Sequence, residues 1–239
     1  MTEPTIRSSI PPEVRWGAGH DPLPMQWVLP DGRPLPNSAG ETPLDFCRHM
    51  RRLCTDIAGR CEGLGHIRMP HVLLSFTPAR NRNRFGLQAR VTPMRFRHGS
   101  DVGTLPTREY RVQRYFVNGV EMMYLLTFCL PRFFNQPFEE KLSTVFHELF
   151  HMSPEFDGDL RRHHGRYAVH SRSKADYEKK VDGLMNEYLD GHARPELFDF
   201  LRHPYRDLWL KHGGIRAAIV PRPKLLPLGR VLRPAAKRG

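Results

Sequence analysis

The sequence has no uninterrupted apolar run of eighteen residues, which excludes a predicted transmembrane helix. Its first thirty residues also lack the apolar stretch and small-residue cleavage site of a secretory signal, so the protein is expected to stay in the cytoplasm with no membrane partner. Cysteine is scarce. The four present, Cys47, Cys54, Cys61 and Cys129, are expected as reduced thiols rather than a disulfide framework. Three of them recur every seven residues, but on a helix rising ~1.5 Å per residue they stand ~10 Å apart. They cannot share one metal, so core packing is predicted. Apolar residues make up only 39% of the chain, which points to segments outside the packed core. From Arg216 to the end there is no acid at all, against seven Lys and Arg.

Proline and positive charge are abundant instead. The chain has 22 prolines, nine of them before residue 44, and a formal charge of +12. Nine arginines between Arg80 and Arg114 face only Asp101 and Glu109. This segment, 80–114, and the basic stretch 216–238 carry more than the whole excess. Clustered arginine is what phosphate-backbone binding needs, so nucleic acid is one expected partner through these two segments; a solvated basic surface is the competing reading.

With 239 residues, one domain with arms is expected. Residues 1–42 read as a proline-rich extended arm, 43–213 as the domain, and 214–239 as a basic proline-rich tail. Phe46, Met50, Leu53 and Ile57 fall at helical spacing and predict a helix from Asp45 to about Arg60, with Thr42 and Pro43 as its start signal. Strands are predicted over 71–76 and 85–97. Two more flank Asn118-Gly119, a tight-turn signal, and give a hairpin of 110–117 with 120–130. Helices follow from about Pro137 to Met152 and from Lys174 to Tyr188, with a short one near 195–202. The order predicts an α+β fold in which a small sheet containing antiparallel strands is backed by helices.

His147, Glu148 and His151 form H-E-x-x-H in the second of those helices. Four residues along a helix advance ~6 Å and turn ~40°, so both imidazoles can converge on one cation. Glu148 then stands beside the metal, where it can take a proton from the attacking water. Zn2+ suits two imidazoles and a third protein ligand with one position left open. Phe138, Leu142, Val145 and Leu149 make an apolar stripe, and a 100° step puts both histidines on the opposite side, so the helix packs one face and offers the other. For the third ligand we take His170, just before the next helix; Asp157 is the alternative, though Asp157-Gly158 also reads as a local turn. The adjacent pair His163 and His164 ranks last because arginines surround it.

The longer block H-E-L-F-H-x-S-P-x-F-D-G-D-x-R-R, followed by Gly165-Arg166-Tyr167 and His170, resembles a metallopeptidase family of phage and bacterial genomes. The match runs over about 125–188. It implies a zincin-like domain with His147 and His151 as ligands and Glu148 as general base, acting as a hydrolase on a protein or peptide substrate. A glycine three residues after the second histidine turns the chain in metzincin-type sites, and here that position is Pro154. The chain is also similar, more loosely, to SprT-like proteases, which act on DNA-bound proteins and carry a later histidine ahead of a helix, as His170 stands here. In zincins a strand near the metal pairs with extended substrate, a role that would fall to 120–130. Tyr167, Arg166 or one of the histidines not used as a ligand would donate to the developing oxyanion, and Asp159 would orient a ligand imidazole. Two other classes compete with the zinc metallopeptidase. One is a metal-dependent ribonuclease, which in one bacterial family has H-G-x-L-H and lacks the glutamate. The other is a nucleic-acid-binding protein with a structural zinc, which would normally need a fourth protein ligand.

Overall fold

The computed structural model describes residues 10–28, 34–35, 43–79, 86–162, 174–191 and 194–230. Strands β1 (Glu13–Trp16), β2 (Met25–Val28), β3 (Pro34–Leu35) and β4 (Leu44–Asp45) precede helix α1 (Phe46–Arg60). Then come β5 (Val72–Pro78), β6 (Ala89–Pro93), β7 (Val102–Thr104), β8 (Arg108–Val112), β9 (Arg114–Val117), β10 (Val120–Glu121) and β11 (Tyr124–Leu130). Helices α2 (Phe138–Phe150), α3 (Lys174–Asp190), α4 (Pro195–Phe198) and α5 (Tyr205–Lys211) follow, and β12 (Ile215–Ala218) and β13 (Leu225–Arg230) end the order. The fold is α+β, built on several small sheets. Among the described residues no helix is long and apolar enough to cross a membrane.

Helix α1 begins where its cap is, at Asp45, whose carboxylate accepts from the Arg48 amide at 2.9 Å. The start therefore lies beyond the Thr42 and Pro43 expected to mark it. Phe46, Met50, Leu53, Cys54 and Ile57 are all fully buried, and each such side chain contributes about 1.5–3 kcal/mol of burial. All four cysteines are free thiols: Cys54, Cys61 and Cys129 are buried and Cys47 is half-buried, in keeping with the packing role expected of the helical three.

Three strands form the sheet that positions the site. β11 lies in the middle, parallel to β5 and antiparallel to β6, so β6 is an edge. Leu126 and Phe128 of β11 enter the helix-side core with Leu74, Phe76 and Val91, whereas Leu125 joins Leu73, Trp16 and Tyr115 in a smaller cluster. That alternation is the pleat expressed as two apolar layers.

The Asn118-Gly119 turn forms as expected, with φ of 50° and 81°, a backbone glycine adopts without cost. Its hairpin is shorter than predicted, pairing β9 only with Val120 and Glu121. The chain then leaves for a different sheet as β11, and β8 pairs with β7 and β13 instead. Glu121 is gripped at this exit: Arg114 contacts both its oxygens at 2.6 and 2.8 Å, and Arg95 reaches it at 2.5 Å.

Larger differences lie at the two ends. β1 runs parallel to β9 and β2 pairs with β12, so these parts of the segment read as an extended arm are docked in sheets. The segment from 214 onward was expected to trail as a tail. Instead β12 sits between β2 and β4 with Ile215, Ala217 and Ala218 fully buried, and β13 pairs with β8. Proline-rich sequence obscured this because edge and short strands tolerate proline. The expected end of that tail, 231–239, lies outside the described residues.

Two outcomes test these features. A chain ending at Gly214 loses β12 and β13 and should fail to unfold cooperatively, as read by near-ultraviolet circular dichroism; native-like melting would refute the interior placement of β12. Glu121 is held at about pKa 2, below its ordinary 4.5, chiefly by Arg114 and then Arg95. A depressed carboxylate stabilises the fold above its unfolded pKa and loses that contribution as pH falls toward the folded one. Glu121→Gln should therefore cost about 1–2 kcal/mol at pH 7. The gap to wild type should close between about pH 4.5 and 2 in denaturant melts.

Candidate metal and active site

α2 carries the motif, with Pro137 at its cap position rather than inside the first turn. Leu142, Val145, Phe146 and Leu149 are fully buried and fix the rotation of the helix. The opposite side is not an open face, as the stripe alone suggested. Glu148 is 8% exposed, His151 is 7% exposed, and His147 is half-buried. Tyr177 of α3 packs against both imidazoles, its ring centroid 5.0 Å from that of His147 and 5.2 Å from that of His151. Its hydroxyl donates to the His147 carbonyl at 3.2 Å.

The two imidazoles converge. Their Nε2 atoms stand 3.0 Å apart in hydrogen-bond contact. Two nitrogens each 2.0–2.1 Å from one tetrahedral ion would stand about 3.3 Å apart, so a few tenths of an ångström separates this pair from zinc-ligand geometry. The donor set thus fits a zinc ion at its first two positions.

Glu148 turns to the edge strand. Its Oε2 accepts from the Val91 amide at 2.6 Å, which leaves Oε1 for proton exchange. Burial pushes its carboxyl up to about 7, opposed by the Val91 amide and by the nearby Arg90 charge. A carboxylate poised near neutrality is suited to taking and returning a proton.

After His151, which caps α2, the chain turns back on itself. Met152 bridges to Leu160, and the Arg161 amide donates to the His151 carbonyl at 2.7 Å. Pro154 does not prevent this turn; the left-handed backbone comes later, at Phe156 with φ 50° and Gly158 with φ 87°. A side chain at Gly158 would also press on Arg95, its Cβ lying 2.7 Å from Cγ. The second of these positions gives a conformational reason for the glycine of the longer motif.

The expected third ligand, His170, lies outside the described residues, as do His163, His164, Arg166 and Tyr167. Asp157 is placed in a local turn, accepting from the Asp159 amide at 3.1 Å, and its side chain packs close to Gly99. Among the described residues no third His, Cys, Asp or Glu completes a metal-sized group. Asp159, expected to orient an imidazole, is used by the loop: Arg162 grips both its oxygens at 2.8 and 2.9 Å, and the amides of Leu160 and His98 donate to it. Within 120–130, β11 cannot pair with substrate as expected, because it is flanked on both sides; β6 is the edge of its sheet. Tyr177 was missed. Helical spacing on α3 gave no reason to single it out from Tyr188.

Of the nine arginines in 80–114, Arg95 and Arg114 are committed to Asp101, Glu13 and Glu121. Arg90, Arg108 and Arg111 are exposed. The basic segment is therefore part scaffold, part surface.

His147→Ala and His151→Ala should each lower zinc affinity by about 100-fold or more, the upper range of losses seen even for groups that only orient ligands. Asp157→Ala should leave it unchanged. Zinc retained in both histidine variants, measured by elemental analysis after dialysis, would remove the site. No family model, curated protein or solved structure matches the chain.

Proposed function

We propose that the protein is a zincin-like, zinc-dependent metallopeptidase. The observation that supports this most is the joint placement of two imidazole nitrogens 3.0 Å apart beside a buried glutamate anchored to a sheet edge. His147 and His151 would hold the ion, and His170 is proposed as the third ligand. Bound there, zinc would supply Lewis acidity toward a water and a substrate carbonyl.

The chain's own groups account for the rest. Glu148 accepts the proton of the attacking water at Oε1 and returns it to the leaving amine, while the Val91 amide fixes the other oxygen. Tyr177 excludes solvent from one side of the imidazoles and steadies the last turn of α2 through the His147 carbonyl. The edge strand β6 runs beside Glu148, so an extended peptide is proposed to lie along it. A glutamate in this position disfavours the ribonuclease reading. Protein substrates associated with nucleic acid remain part of the proposal through the exposed arginines.

Glu148→Gln should keep zinc and fold while losing about 100- to 10,000-fold in hydrolysis of an unfolded protein. Absence of hydrolysis by the zinc-loaded wild-type chain, with and without DNA, would overturn the peptidase proposal while leaving the metal site standing.

A further inference from the structure

The sheet that carries β6 has a second face, away from α2, and a cavity of about 520 Å³ opens on it. Alternation along β6 sends Ala89 and Val91 toward the buried helix side and Arg90 and Thr92 to the other. Register then matters: Thr127 of β11 stands directly opposite Arg90, and Thr77 of β5 lies opposite Cys129 on the same face. Arg132, just past β11, and Arg222, just past β12, complete the wall. Among the described residues the lining thus holds three arginines, three threonines and no acid.

Arg132 is built in rather than draped over the surface. Its Nη1 donates to the Leu87 carbonyl at 2.9 Å, and its guanidinium lies so close to Gly86 that a Cβ there would be 2.5 Å from Cζ. Burial pushes the Cys129 thiol up, and the charges of Arg132 and Arg90 both oppose that rise. Arg90 and Arg222 have no carboxylate partner among the described residues. Among the described lining residues none is aromatic.

We infer that this cavity is a phosphate-binding site, in which Arg90, Arg132 and Arg222 meet the anion and the threonine hydroxyls donate to its remaining oxygens. The forked guanidinium donors of Arg90 and Arg222, without competing carboxylates among the described residues, match a phosphate oxygen pair, and hydroxyls complete its shell. Its volume lies within the usual range for small-molecule sites, so the phosphate can belong to a small phosphorylated compound or to one nucleotide unit of a single strand. The site is on the opposite side of the sheet from Glu148 and does not depend on the peptidase proposal.

Calorimetric titration of the full chain with inorganic phosphate, and separately with a short single-stranded oligodeoxynucleotide, tests this. Arg90→Ala with Arg222→Ala should weaken saturable binding by about tenfold or more. Both side chains are exposed, so the fold should be kept. Thr127→Val, which changes no charge, should weaken it a few-fold. Arg108→Ala with Arg111→Ala, an equal loss of charge elsewhere, should leave it unchanged. Binding of phosphate assigns a small phosphorylated ligand, and binding of the oligonucleotide alone, with the same dependence on these variants, assigns a phosphodiester. Equal weakening by both arginine pairs, insensitivity to Thr127→Val, or no saturable binding of either probe would overturn the site.

Discussion

The path of the chain out of the site helix depends on one buried hydroxyl. Tyr124, at the start of β11 and fully buried, donates to the Asp159 carbonyl at 2.8 Å and accepts from the amides of Ser153 and Gly158 at 3.2 and 3.1 Å. The Ser153 amide and the Asp159 carbonyl also bond each other at 3.2 Å, so it is the Gly158 amide that relies on this hydroxyl, and leaving that amide unpaired would cost about 1–3 kcal/mol. Through this hydroxyl the central strand dictates where the chain goes after His151. Asp159 and Arg162 then fasten the far side of the same loop.

A second tie joins the helix to the sheet's edge. The Glu148 carboxylate serves as the hydrogen-bond partner that an edge amide lacks, and the edge amide in turn orients the carboxylate. Structure and proposed chemistry thus share one contact. Removing the charge perturbs both, which is why metal content and hydrolysis have to be read apart.

Periodic elements were legible in the sequence. The stripe Phe46, Met50, Leu53, Ile57 gave α1 to within a residue, and the Asn118-Gly119 pair gave its turn, because in both cases the signal is local. The α+β class followed from the order of these elements. What escaped was long-range: β12 is four residues that pair with β2 and β4, about 190 and about 170 positions away. No pattern within Ile215–Ala218 announces such partners. At the site, spacing alone found the two imidazoles and the glutamate, whereas Tyr177 and Val91 reach it through packing across the chain. Asp157 and Asp159, attractive as carboxylates beside a histidine cluster, belong to the loop because their nearest unsatisfied groups are backbone amides.

The edge strand beside Glu148 has one further property. On β6 the main chain of Ala89, Val91 and Pro93 faces away from β11; proline has no N–H, and that of Val91 is already taken. The rim therefore offers a neighbour carbonyl oxygens and almost no donors. Two copies meeting rim to rim would set acceptors against acceptors, so the strand resists being extended by another molecule of its own kind. The rim is thereby kept from becoming a seed for fibres.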